Sequence, residues 1–275
     1  MQDSFDQKKK SILSEISSNS PDNLDASPKG TIDEYCLPII NTINSHGDMV
    51  TTSSCSGRVS IFLEGVKTNN STSVVAKGHE GRWLFVTHEP NDLNNWYDSI
   101  DFKYDTSNFP KDFSSRSILY KFEPLILHVK CRNETMAQKL YVLAMNNGFR
   151  ESGIGNNFNV AIRINIKLDI PIGFQSIDGD DLNCFVTEQY LKYITDISHE
   201  RFKENFKKLE QLHRAIGRMM EEETKGIETS KKKYKESKEE RRQRMIKEGL
   251  QRQQELRELK EKQEKEQNGI QQVDT

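Results

Sequence analysis

The sequence predicts an α/β fold with a charged C-terminal helical extension, and three observations predict it. Helical patterns at residues 33–46 and 134–147 each stop at a glycine, Gly47 and Gly148, and each leads into strand patterns. The order helix, glycine, Ser-Gly segment, strand occurs twice, through Ser56-Gly57 and again through Ser152-Gly153, as a weak internal repeat. From Lys225 onward apolar residues nearly vanish among Lys, Arg, Glu and Gln, so that stretch cannot bury a core and is a solvated helix or a disordered tail.

The elements follow in order. Residues 1–30 carry Ile12, Leu13 and Ile16 behind a lysine run and then turn to Ser, Asn, Asp and Pro, which predicts a short helix and linker packing on the core. Ile32, Tyr35, Cys36, Ile39, Ile40 and Ile43 recur on one helical face, with Pro38 inside the run expected to kink it. Residues 49–53 and 58–63 read as two strands flanking a hydroxyl-rich turn. Residues 66–77 read as a polar loop that leads to a strand over 83–88. Residues 89–117 are mixed, with Trp96, Tyr97, Phe102 and Tyr104 spaced for packing.

Residues 118–131 form two short apolar runs broken at Pro124, with a strand expected over 126–130. Helix 134–147 has Asn133 as N-cap, a buried stripe of Met136, Leu140, Leu143 and Ala144, and Gly148 as its stop. Residues 159–168 alternate Val160, Ile162, Ile164, Ile166 and Leu168, the mark of a strand with one buried face. Beyond residue 178 the pattern is helical to the end. These readings divide the chain into an N-terminal helix and linker (1–30), an α/β domain (31–215) and a charged tail (216–275).

Composition narrows the function. A chain of 275 residues can hold one cored domain with extensions, and 30% charged residues with a mean hydropathy of −0.78 require part of it to be solvated. The net charge of −2 carries no global signature of nucleic-acid binding, so any contact with RNA must come from local patches. Cys36, Cys55, Cys131 and Cys184 lie far apart, which argues against a zinc site of ordinary spacing and against a disulfide scaffold; no metal is expected. No apolar run of about 18 residues occurs and the N-terminus does not open like a signal peptide, so no membrane association and a cytoplasmic location are expected. The one G-x-G, Gly153-Ile154-Gly155, precedes a β-alternating run where a dinucleotide fingerprint needs a helix, which excludes a Rossmann site.

Candidate site residues cluster in three segments that join cations to glycine and hydroxyl groups. The first is Ser53-Ser54-Cys55-Ser56-Gly57-Arg58, whose hydroxyls and turn N–H groups would serve an anionic or polar ligand. The second contains Lys77 and Trp83, and His88 follows it; the third runs from Arg150 through Ser152 to Gly153. Arg132 and Arg163 stand near strand or helix ends. Each has a plainer reading: Cys55 as a small buried thiol, Trp83 as a half-buried strand aromatic, the arginines as solvated surface.

These blocks resemble those of one family. Residues 53–58, Lys77-Gly78 with Gly81-Arg82-Trp83-Leu84-Phe85, His128-Val129-Lys130-Cys131-Arg132, and Ala144-Met145-Asn146-Asn147-Gly148-Phe149-Arg150-Glu151-Ser152-Gly153-Ile154 are similar to the signature segments of the wybutosine-synthesis tRNA methyltransferases, the third enzyme of that pathway. Asp25-Ala26-Ser27-Pro28-Lys29-Gly30 with Ile32-Asp33 resembles the family's N-terminal block, and the likeness spans roughly residues 5–210. Gly78-His79-Glu80-Gly81 departs from the simple Gly-Gly expected there.

The resemblance implies a non-Rossmann α/β fold in which duplicated β-α units form a single barrel-like sheet. It also implies transfer of the S-adenosyl-L-methionine methyl to N4 of 7-aminocarboxypropyl-demethylwyosine, beside the anticodon of phenylalanine tRNA. In that reading Ser53, Ser54, Cys55, Ser56, Gly57, Arg58, Arg150, Ser152 and Gly153 hold the cofactor, and Lys77, Trp83, Arg132 and Arg163 hold the substrate. Ser54, Arg58 and His88 stand nearest the chemistry. The anticodon loop and other enzymes of the pathway are the implied partners. A competing reading from another class is a non-catalytic RNA-binding adaptor that uses its sheet as a platform and its tail as a docking helix.

Overall fold

The structure is a computed structural model that describes residues 3–18, 33–65, 81–110, 115–176, 179–233, 238–239 and 241–254. It divides into two compact units, residues 1–219 and 220–275. In chain order the helices are α1 (Ser4–Ser18), α2 (Leu37–Ser45), α3 (Glu134–Asn146) and α4 (Glu188–Lys233). The strands are β1 (Met49–Leu63), β2 (Arg82–Thr87), β3 (Phe102–Tyr104), β4 (Arg116–Cys131), β5 (Gly153–Gly155), β6 (Asn159–Arg163), β7 (Leu168–Gln175) and β8 (Leu182–Cys184).

Two long antiparallel strands make the spine. β1 and β4 pair from Met49 opposite Cys131 to Leu63 opposite Ile118. β4 then divides its outer edge, its first half pairing with β7 and its second with β6, while β5 extends β6. β2 flanks the C-terminal half of β1, β8 joins β7, and β3 runs parallel to β8. The result is a curled, half-barrel sheet with helices, a mixed α/β architecture without a dinucleotide-binding crossover.

The interior explains the curl. Val59, Ile61, Leu63, Tyr120, Phe122 and Ile172 project from the sheet against Leu93, Trp96 and the apolar face of α4 formed by Leu191, Ile194 and Phe202, all buried. Three buried polar side chains of α4 set its register on this surface. Thr195 Oγ1 accepts from Trp96 Nε1 at 2.9 Å, Ser198 Oγ accepts from the Tyr120 hydroxyl at 2.8 Å, and Asn205 bonds to the β1 and β4 backbones. Burial pushes the Tyr120 phenol up to about 12, so it stays a proton donor at neutral pH.

Several expectations hold in detail. α3 begins at the Asn133 cap, whose side chain accepts from the Met136 N–H at 2.9 Å, and Gly148 follows it at φ +92°. α1 forms and packs Phe5 and Ile12 against Val50.

Others change for physical reasons. Pro38 lies in the first turn of α2, behind a short 3-10 turn (Glu34–Cys36), so it starts the helix instead of kinking it. Residues 49–63 are one strand, and the expected turn at 54–57 is part of it. Pro124 does not break β4 because it falls where the outer edge has no strand partner, between the pairing with β7 that ends at Phe122 and the pairing with β6 that starts at Ile126. The alternating run from 159 divides into β6 and β7, and β8 precedes the final helix.

Arg132, expected at the substrate, is a fastener for α1. Its guanidinium meets Asp3, Asp6 Oδ1 at 2.6 Å and Asp48 Oδ1 at 2.6 Å, and it covers the Phe5 ring at 4.6 Å. Three carboxylates already engage its donors, so its partners in the structure are Asp3, Asp6 and Asp48.

In the second unit, the described residues 241–254 are helical with every side chain exposed, and Arg244 pairs with Glu248 at 3.2 Å. No described helix is long and apolar enough to cross a membrane.

Candidate active site

The hydroxyl-rich motif belongs to the first half of β1, and the strand sorts its residues by face. Ser53 is exposed and lies opposite His128, whereas Ser56 and Gly57 are buried. The Ser56 hydroxyl is enclosed without a hydrogen-bond partner among the described residues, so it does not face a ligand. Because the backbone is in a strand, the nest of turn N–H donors expected here does not form. The Ser56 N–H instead donates to Asp33 Oδ2 at 2.8 Å, while the Ser56 carbonyl accepts from Asn205 Nδ2 at 2.6 Å.

Asn205 therefore wedges the spine open. Its side-chain amide bridges Ser56 on β1 and Leu125 on β4, replacing cross-strand bonds with a rigid insert from α4. Gly57 makes room for the wedge. It sits at φ +108°, and a Cβ there would meet Asn205 Nδ2 at 2.9 Å and the Glu123 carbonyl at 3.3 Å. Just beyond, Arg58 pairs with Glu123 at 2.6 Å and lies over the Trp83 ring at 5.0 Å. Arg58 and Trp83 are thus brought together, but as a cross-strand pair that braces β1 on β2 and β4.

Two polar clusters flank Ser53 and Cys55. In the first, Ser53 Oγ and His128 Nδ1 lie 2.7 Å apart, Arg163 Nη2 is 3.5 Å from His128 Nε2, and Ser152 Oγ accepts from the Arg163 N–H at 3.1 Å. The sheet register explains the grouping: Ser53, His128, Ala161 and Gly153 form one row across β1, β4, β6 and β5. Ala161 and Gly153 leave that row nearly flat, and a Cβ built at Gly153 would meet nothing within 4 Å. Burial and then the Arg163 charge hold the His128 imidazole below its ordinary value, which keeps it neutral near pH 7. With the Arg163 guanidinium beside Nε2, that nitrogen is the acceptor and Nδ1–H points to Ser53.

In the second cluster His88 Nε2 lies 3.7 Å from Asp33 Oδ2, both groups nearly buried, and the Cys55 thiol joins them with all donor atoms within 4.8 Å of one another. This is the one set of described residues whose donors converge enough to hold a metal ion. Burial pushes the Cys55 thiol up, however, so it stays protonated, and Asp33 already holds the Ser56 N–H. Burial likewise raises Cys36 to about 12, leaving an inert thiol. Cys55 stands two residues along β1 from Ser53, on the same side and about 7 Å away, so the clusters are neighbours.

Arg150 is exposed two residues before Ser152. Ser54 is half-buried, and Lys77 lies outside the described residues. Glu123 and Asn205 were not singled out from sequence, and Asp33 and His128 stood inside the family-like segments with no role of their own. His128 left a further signal, as a polar residue between Leu127 and Val129 in an alternating strand.

The row of Ser53 and His128 with Arg163 at its side lies on a sheet that has no dinucleotide-binding crossover, and comparison with known proteins gives the family. A profile of the family Methyltransferase TYW3 matches residues 7–218. The chain is 50% identical over 225 residues to tRNA wybutosine-synthesizing protein 3 of Saccharomyces cerevisiae, covering 78% of this chain and 81% of that one. It is 38% identical over 226 residues to the protein of the same name in Schizosaccharomyces pombe, covering 81% and 90%. Among solved structures it is similar to the PH1069 protein from Pyrococcus horikoshii OT3, with a TM-score of 0.58, 27% identity, and coverage of 78% of this chain and 94% of that one. The chain belongs to the Methyltransferase TYW3 family.

Proposed function

We propose that this protein is an S-adenosyl-L-methionine-dependent tRNA methyltransferase that methylates N4 of 7-aminocarboxypropyl-demethylwyosine beside the anticodon of phenylalanine tRNA. The observation that carries the placement of the reaction is the row Ser53, His128, Ala161 and Gly153 with Arg163 at its side. The open space over Gly153 fits a flat heterocycle such as adenine. Arg163, with Ser152 at its backbone, is suited to the methionine carboxylate through a charge-assisted contact. Arg163 thus serves the cofactor in this reading, and Arg150, exposed two residues before Ser152, is left for a tRNA phosphate.

S-Adenosyl-L-methionine, when bound, supplies an electrophilic methyl group on a sulfonium. The protein's share is alignment, since holding the accepting nitrogen in line with the methyl removes the largest entropic part of the barrier. As the C–N bond forms, the C–S electron pair stays on sulfur and the tricyclic base gives up one proton. Once Arg163 turns to the methionine carboxylate, the lone pair of the neutral His128 Nε2 is released to take that proton, while Ser53 fixes the ring through Nδ1. His88, nearly buried against Asp33, holds the loop after β2 onto the motif.

The test uses phenylalanine tRNA isolated from cells that lack the protein. Incubation with the purified chain and S-adenosyl-L-methionine should convert the demethylated nucleoside to one heavier by a methylene group, read by mass spectrometry. An unchanged nucleoside, with active tRNA and cofactor controls, would refute the reading.

A further inference from the structure

The hairpin joining β5 to β6 carries the feature that the methyl-transfer chemistry does not use. Residues 154–158 are all exposed, and two of them, Ile154 and Phe158, are large apolar side chains at 38% and 39% exposure. Asn157 and Phe158 both have positive φ, at 56° and 60°. Asn adopts that region with little difficulty, but a bulky aromatic rarely does, and such strain persists only where surrounding structure enforces it. Here the Lys130 ammonium clamps the Asn157 carbonyl, and the ladder closes at once through Gly155 opposite Asn159. The backbone is therefore held in this conformation, with Phe158 at the tip of the hairpin and 39% exposed.

The charge near the ring is mainly positive. Between Ser152 and Leu168 the chain contains Arg163 and Lys167 and no acidic residue, and Lys130 and Arg150 border the hairpin, with Glu151 next to Arg150. A partly exposed aromatic beside an excess of cations matches a nucleobase attached to phosphates. Single-stranded RNA fits better than a duplex, because only an unpaired base offers its face to a side chain.

We propose that Phe158 is a stacking platform for an unpaired base of the RNA substrate, positioned by the strained turn that closes the hairpin, three residues before Ala161 in the row of Ser53, His128 and Gly153. This rests on the reading of the protein as a tRNA-modifying enzyme and adds to it the point where the loop is gripped. Ile154 supplies an apolar edge to the same stack, and Lys130 and Arg150 take the flanking phosphates.

Fluorescence anisotropy with a labelled hairpin RNA of the phenylalanine tRNA anticodon arm tests this, with Phe158→Ala, Phe158→Leu and Phe158→Trp beside the wild type. Phe158→Ala and Phe158→Leu should each weaken binding by about ten-fold, in the range of base-aromatic stacking, while Phe158→Trp stays near wild type. Calorimetric binding of S-adenosyl-L-methionine should be the same in all four. If Phe158→Ala also lowers the melting temperature, the Leu and Trp variants decide, since both keep apolar bulk and only one keeps a ring. Equal RNA affinity in wild type and Phe158→Leu would overturn the platform and leave the functional reading standing. Failure of the wild type to bind the hairpin or to methylate tRNA would instead take down the functional reading and the platform with it.

Discussion

The two halves of β1 are built to opposite ends. Residues 59–63 are buried without exception and pair with β4 on one edge and β2 on the other. Residues 51–58 pair with β4 alone, and side chains cover their other edge: Asn44 accepts the Thr51 N–H at 2.8 Å, and Asp33 accepts the Ser56 N–H. One half spends its backbone on a sheet and its side chains on a core. The other lets loops and a helix satisfy its backbone, which leaves Ser53 exposed. The boundary falls at Gly57, where Asn205 enters. A single strand can thus be structural at one end and functional at the other, provided something else closes its edge.

This contrast can be broken from either side, beginning with the largest effect on stability. Ile61→Ala removes a fully buried side chain from the core half and should cost about 2–5 kcal/mol. Thermal or denaturant unfolding should register the loss, with cofactor affinity unchanged at temperatures where the variant is folded. Gly57→Ala strikes the boundary. Its positive φ and the 2.9 Å approach to Asn205 Nδ2 should cost about 1–3 kcal/mol. It should also lower activity, because displacing Asn205 shifts the motif; full activity with full stability would remove the wedge from the account.

Ser53→Ala, in the functional half, should leave the melting temperature within the range of ordinary surface changes, about 0.5 kcal/mol. It should reduce kcat by about ten-fold or more by freeing the His128 ring. The same half predicts a pH response. His128 has a folded pKa below its unfolded one, so its neutral form supports the native state above the unfolded value near 6.5, and that support is lost as pH falls through the folded value. Activity should fall over the same window. Arg163→Ala should raise the His128 pKa part of the way back, since burial is the larger cause and remains; NMR titration of the ring reads this directly. The smallest effect belongs to residues 220–275: their removal should leave the melting temperature of the first unit nearly unchanged.

Local physics was legible in the chain, and long-range physics was not. The cap at Asn133, the stop at Gly148 and the alternation of Val160 and Ile162 are set by neighbours within a few residues, so pattern reading found them. The strand through residues 54–57 was hidden because Ser and Gly favour turns when nothing opposes them. Here β4 on one side and Asp33 on the other hold the segment extended. The wedge joins Asn205 to Ser56 across a separation of 149 residues, and no local period encodes it. Two of the segments assigned to the candidate site, the motif around Ser53 and Ser152-Gly153, do meet in one row. The partner that joins them, His128, is set by register, and the charge of Arg132 gave no hint that three carboxylates would claim it.

The central claim is that the flat row through Gly153, flanked by Arg163, binds the cofactor, and Gly153→Leu tests it most directly. The fold has room for the new side chain, since nothing lies within 4 Å of a Cβ there, so the melting temperature should match that of the wild type. The leucine would fill the floor proposed for the heterocycle. Calorimetric titration with S-adenosyl-L-methionine should therefore show affinity reduced by a hundred-fold or more, about 2.7 kcal/mol. Wild-type affinity in a folded Gly153→Leu variant would contradict the account and move the cofactor site off this row.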